Sequence, residues 1–234
     1  PERALSEAHW ALLRDPDDPA ELGALMGLLA PAAAILTPIS LAEAHVDVTM
    51  QVSEEELPAP FRRVRAQLAR ILEVAPCPVV ARPELERQVQ VVATWPPVMV
   101  AGDEALTAPE RPELVCRLAR AMCLAKPGYA IGGSRSGAVL RSLLLAVVRL
   151  ATSSDVGQRD KLADAATKAV VALPTGVQDA ACAEVLRLLA RAGAVNLSQW
   201  SRAVVRTADR VGLLLCQDIP TAIAIARERG EGCA

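Results

Sequence analysis

The chain has 234 residues, 25 Lys and Arg against 27 Asp and Glu, a formal charge of −2 and only 2% aromatic residues. With no basic block and too few rings for stacking platforms, this composition argues against nucleic-acid binding. Hydrophobic residues reach 52%, enough for a core, and one drawn mainly from Ala, Leu and Val suits packed helices.

The first two elements in chain order read as helices, Ala4 to Arg14 and Glu21 to Leu29. Between them Asp15-Pro16-Asp17-Asp18-Pro19 reads as a turn, with Asp18 as an N-cap and Pro19 at the first helical position. The longest apolar stretch, Leu22 to Leu36, holds Pro31 and two glycines, so it predicts a buried helix with a break and not a membrane span. Residues 1–40 are thus expected to form a helical hairpin, in the position where a helical-repeat array would end. A chain opening on Pro1 rather than Met reads as a piece of a longer protein.

Val46, Val48, Met50 and Val52 alternate with polar residues, which predicts a half-buried strand over 44–52. A helix is expected from Phe61 to Leu72, with Phe61, Val64, Leu68, Ile71 and Leu72 on one face. Short strands follow at Val79-Val80, Val89 to Thr94 and Pro97 to Ala101, separated by Pro and charged residues, and together they predict a small antiparallel or mixed sheet. From Glu110 onward the pattern is helical. Leu114, Leu118, Met122 and Ala125 form one stripe, Gly132 to Gly137 reads as a loop, and Ala138 to Leu150 as a central buried helix. Further helices are expected over Gln158–Leu173, Val177–Arg191, Ser198–Cys216 and Pro220–Arg229. Their breaks fall at Pro174-Thr175-Gly176, Gly193 and Gln217-Asp218, with Asp218 as an N-cap. The predicted fold class is α+β, predominantly helical, with a small sheet followed by a helical bundle over 41–234.

Cysteines stand at 77, 116, 123, 182, 216 and 233 without a CxxC pair. They read as small buried hydrophobes in a reducing compartment, and with no signal peptide in view the expected location is cytoplasmic.

Two stretches carry a resemblance. Trp95-Pro96-Pro97-Val98-Met99-Val100-Ala101-Gly102 looks like a strand and its exit, Glu113-Leu114 opens a helix after it, and Thr207-Ala208-Asp209-Arg210-Val211-Gly212-Leu213-Leu214 forms a later phrase. This order resembles the zinc metallopeptidases of the heat-shock protein X and CAAX-prenyl endopeptidase class. There a helix carries HExxH, and a later helix supplies the third ligand before an Ala-Asp-Arg phrase. In HExxH two imidazoles one turn apart grip zinc and the Glu activates water. Here those positions read Arg120-Ala121-Met122-Cys123-Leu124, the third-ligand position is Val205, and the only histidines are His9 and His45. The phrase Thr207 to Asp218 is also similar to the endings of C-terminal domains in large bacterial, myxobacterial-type tetratricopeptide-repeat proteins.

The resemblance implies a degenerate zincin-like fold, a pseudoenzyme with no catalytic residue, no metal and no cofactor. Its relic cleft would comprise Arg120, Met122, Cys123, Val205, Asp209 and Arg210. Arg120 is expected to pair with Asp209 or Glu113, or to hold an anion. The leading expectation is a non-catalytic protein-interaction or scaffold domain with a protein partner. Two alternatives stay open: a small-ligand or anion sensor using Arg120 and the Gly132 loop, and a hydrolase with a non-zinc site near Cys123 and Asp209. The Gly132–Gly137 stretch lacks the Lys-Ser/Thr ending of a phosphate loop, so a helix connector is the simpler reading.

Overall fold

In this computed structural model, residues 3–154, 160–192 and 195–231 are described. Gln158, Gly193 and Cys233, which enter the expectations above, lie outside them. The chain opens with α1 (Glu7–Leu13), α2 (Ala20–Leu28) and α3 (Ala30–Leu36), continues through β1 (Gln51–Val52), α4 (Ala59–Leu72), β2 (Val79–Ala81), β3 (Val89–Val92) and β4 (Val98–Ala101), and ends in eight helices. These are α5 (Asp103–Thr107), α6 (Pro112–Leu124), α7 (Pro127–Ser134), α8 (Gly137–Thr152), α9 (Lys161–Val171), α10 (Thr175–Ala192), α11 (Leu197–Cys216) and α12 (Ile219–Glu231). The α+β, mainly helical class is therefore observed. Among the described residues no helix is long and apolar enough to cross a membrane.

The sheet has the order β1-β2-β4-β3, with β2 parallel to β4 and the other pairs antiparallel. Central β4 is buried on both faces, as expected of a strand flanked on either side by packed layers. Its Met99 and Ala101 join the main core, whereas Val98 and Val100 meet Val46 and Val80 in a smaller cluster on the opposite face. Successive side chains of a strand point to opposite faces, so four residues serve two cores.

The strand expected over 44–52 is reduced to two residues. Residues 48–50 form a 3-10 turn, in which Asp47 accepts bonds from the Thr49 N–H at 2.8 Å and the Thr49 hydroxyl at 2.7 Å. This local side-chain bonding competes with ladder pairing. His45 has a positive φ of 54°, and of the four alternating apolar residues only Val46 is buried while Val48 is 58% exposed. The alternation therefore does not mark a half-buried face.

The amphipathic helix read at Phe61–Leu72 is α4, and its five predicted core residues are all buried. Each such large apolar side chain stabilises the fold by about 1.5–3 kcal/mol on full burial. The broken apolar helix at Leu22–Leu36 is the α2–α3 pair, with Leu29 as the joint. Helices α2 and α3 share one core with the rest of the chain, α2 against α7 and α10, and α3 against α9. Helix α6 lies at the centre, packed against α4, α11, α12 and β3.

Three local expectations are corrected. Gly132 and Gly133 are not in a loop but inside α7. Glycine at 132 serves the packing of Trp200, whose ring covers it so closely that an added Cβ would lie 2.7 Å away. Helix α10 starts at Thr175, so Thr175 and Gly176 are helical and not part of the break. Helix α8 buries one face through Val139, Leu143 and Val147, and Leu150 is exposed, so it is not surrounded on all sides.

Candidate functional site

The six sequence-predicted residues lie on α6 (Arg120, Met122, Cys123) and α11 (Val205, Asp209, Arg210), two helices that pack together. Arg120 Nε donates to Asp209 Oδ1 at 2.8 Å, joining the two helices. Their side chains are 16% and 32% exposed. Of the two partners expected for Arg120, Asp209 is the one observed at that nitrogen. Close approach of the helices is set by Gly212, where a Cβ would come within 3.2 Å of the Cys116 carbonyl. Met122 and Cys123 are buried in the core, and Val205 is half-buried on α11.

Burial pushes the Cys123 thiol up to about 12, which keeps it protonated and removes the thiolate that nucleophilic chemistry requires. Cys116 is likewise pushed up to about 12, first by burial and then by the adjoining Cys216 thiol. Among the described residues no group of three or more His, Cys, Asp or Glu side chains is placed to hold a metal ion. Of the two histidines, His9 closes a capping box with Ser6 at the start of α1.

Arg210 belongs elsewhere. It donates to the Arg14 carbonyl at 2.9 Å and pairs with Asp15 at 3.2 Å. The Thr-Ala-Asp-Arg phrase is thus split between two faces of α11, with Asp209 turned to α6 and Arg210 to the acidic turn after α1. On that second face Arg206 grips Asp15 with two bonds, Nε to Oδ2 at 2.7 Å and Nη2 to Oδ1 at 2.8 Å. The Arg206 hydrogen bonds hold the Asp15 carboxyl at about 2, against the opposing effect of its burial.

The acidic turn reaches further into the core. The Asp15 N–H donates to Thr207 Oγ1 at 3.0 Å, and that hydroxyl donates to Asp18 Oδ2 at 2.9 Å. Asp18 also accepts from the Tyr129 hydroxyl and from Trp200 Nε1, the latter at 3.0 Å. Asp18 is 3% exposed and Thr207 fully buried. A buried carboxylate persists when its lone pairs are met by donors, and here three neutral donors from α7 and α11 converge on it. The expected N-cap role fails for this reason: Asp18 faces inward, and α2 starts from Pro19 without a side-chain cap.

This network was missed in the sequence because its members are spread over positions 15 to 207. The available signal was a chain poor in aromatics that nevertheless carries Tyr129 and Trp200 in apolar helices, each needing an acceptor for its polar tip.

Beside Asp18 and Tyr129 lies a cavity of about 410 Å³ between α1, α2 and the start of α7. Trp10 forms one wall, with the Lys126 ammonium 3.8 Å from its ring centroid and the Arg14 guanidinium 5.9 Å away. None of the six sequence-predicted residues lines this cavity. Comparison with family models, with curated proteins and with solved structures yields no match.

Proposed function

We propose that the chain is a non-catalytic protein-interaction or scaffold domain, built on a degenerate metallopeptidase-like α+β fold whose ligand positions have become packing positions. The observation that carries this reading is the closed α6–α11 seam. At the positions the resemblance assigns to metal ligands, Arg120 is tied to Asp209, and Leu124 and Val205 are half-buried, with Met122 buried beside them. Hydrolysis needs a reachable nucleophile or activated water beside a base, and the Cys123 and Cys116 thiols of α6 are both buried and protonated. The alternative of a Cys123-centred hydrolase is therefore disfavoured.

A contact surface is available at the corner between α11 and α12. Leu213 and Leu214 end α11, and Ile219 and Ile223 lie one turn apart on α12; all four are exposed, Ile219 by 63%. Apolar side chains gathered at one corner mark a protein contact more often than four scattered ones would.

The test uses the whole chain and a Leu214→Glu/Ile219→Glu variant, with near-ultraviolet circular dichroism to check that the variant folds. The expected result is a defined partner that is retained by the wild type and lost by the variant, with no peptidase or esterase turnover by either. Turnover that Asp209→Asn abolishes would overturn the reading, and so would equal retention by both chains of every partner found.

A further inference from the structure

We propose that the cavity between Trp10 and Lys126 is a binding site for a small amphiphilic carboxylate, a medium-chain fatty acid or a related monocarboxylate. Nothing in the protein-interaction reading requires this site, and it shares none of the residues of the α6–α11 seam.

The argument begins with Lys126. Its ammonium rests on the Trp10 ring at 3.8 Å, yet among the described residues no hydrogen bond or ion pair satisfies its three N–H donors. A cation on an aromatic face is stabilised by the ring quadrupole. That interaction leaves the donors without a protein acceptor, and the half-buried ammonium opens onto the cavity, where an anion can reach it. Partial burial holds Lys126 below the ordinary lysine value. A ligand anion would supply what the protein withholds.

The other charged groups facing the cavity are Arg14, Asp18 and Glu73. Asp18 makes no hydrogen bond to Lys126 among the described residues, and its oxygens accept instead from Tyr129, Trp200 and Thr207. Glu73 stands at the exposed left-handed end of α4, with φ of 51°, and forms no ion pair with Lys126 among the described residues. Arg14 shares the Trp10 ring and is tied to exposed Glu7 at 3.6 Å. Two cations therefore flank one ring, and of the lining carboxylates Glu73, on the exposed side, is the one whose side chain forms no hydrogen bond or ion pair among the described residues.

The rest of the lining selects for an apolar body. Gly23 and Gly27 of α2 present bare backbone, and Leu28 and Pro127 supply aliphatic surface. The floor is fixed by the close crossing of α2 and α7, where a Cβ on Gly128 would sit 2.1 Å from the Gly23 carbonyl oxygen. A cavity of about 410 Å³ lies in the range of small-molecule sites, in which a few placed polar groups set orientation within apolar walls. A phosphate would be matched by a fork of arginines or a row of backbone N–H groups. One ammonium beside an indole, with aliphatic walls, is better suited to a carboxylate carrying a hydrocarbon tail.

The test is titration of the whole chain with sodium octanoate, followed by calorimetry and by tryptophan fluorescence. Octan-1-ol and inorganic phosphate serve as comparators. The expected result is saturable one-to-one binding of octanoate, weakened about tenfold or more by Lys126→Met, kept by Lys126→Arg and strengthened by Glu73→Gln. Octanol alone, lacking the charge, should bind more weakly. A thermal melt of each variant separates lost binding from lost folding. The proposal is overturned by absence of saturable octanoate binding in the folded wild type. Equal binding by folded Lys126→Met would also overturn it, as would phosphate binding at least as tightly as octanoate. The corner variant Leu214→Glu/Ile219→Glu should bind octanoate like the wild type, so failure of the interaction reading and failure of this site are read separately.

Discussion

Helix α11 presents two polar faces that do different work. Toward the acidic turn it sends Arg206, Thr207 and Arg210, which meet Asp15 and Asp18 in a network that continues to Tyr129 and Trp200. Toward α6 it sends Asp209, which meets Arg120 in a partly exposed contact. The first face orders residues far apart in the chain around a buried carboxylate. The second joins two helices whose apolar packing is already extensive. Burial and the number of converging donors, more than the presence of opposite charges, decide which contact the fold depends on.

The largest expected effect follows from removing the centre of the buried network. Asp18→Ala strands the Tyr129 hydroxyl, the Trp200 indole N–H and the Thr207 hydroxyl in the core, and should destabilise the chain by about 3 kcal/mol. Asp18→Asn retains one acceptor oxygen and should cost less, about 1–2 kcal/mol. Urea denaturation of the three proteins checks the order. A loss below about 1 kcal/mol for Asp18→Ala would mean that apolar packing alone docks the first two helices, and the contrast between the two faces would collapse.

A smaller effect, with a pH signature, is expected at Asp15. Its carboxyl is held at about 2 chiefly by the Arg206 hydrogen bonds, below the ordinary 3.8. A folded-state value depressed in this way contributes stability that is present above pH 3.8 and lost as pH falls through 2. Because Arg206 and Arg210 are 44% and 42% exposed, solvent screening reduces the contribution to the order of 1 kcal/mol. Urea melts of wild type and Asp15→Asn across that interval should show the stability gap closing as the acid side is approached. A gap that stays constant with pH would assign the role of Asp15 to its backbone turn and not to its charge.

Much of the helical framework was legible because amphipathic periodicity over ten or more residues is a strong signal, as in α4 and α11. The two-residue β1 was over-read, since the alternation from Val46 to Val52 is the same whether a strand or an Asp47-centred turn forms. Gly132 was misread as a loop residue because glycine signals a break in isolation, whereas here it clears space for the Trp200 ring. At the candidate sites, the Arg120–Asp209 partnership could be anticipated from the phrase that carries Asp209. The Asp18 network could not, because an Asp before a proline has a strong local reading as a helix cap. That local reading lost to three buried donors contributed by distant helices.

The smallest effect concerns the seam itself. A double-mutant cycle with Arg120→Met and Asp209→Asn should give a coupling energy of about 0.5–1 kcal/mol, because the pair is partly open to water. Raising the ionic strength from about 0.05 M to about 0.5 M should shrink it further, as screening shortens the reach of exposed charges. Neither single variant should approach the loss expected for Asp18→Ala. A coupling of about 3 kcal/mol or more, insensitive to salt, would instead place this pair among buried ionic contacts. The seam would then be as indispensable to the fold as the acidic turn.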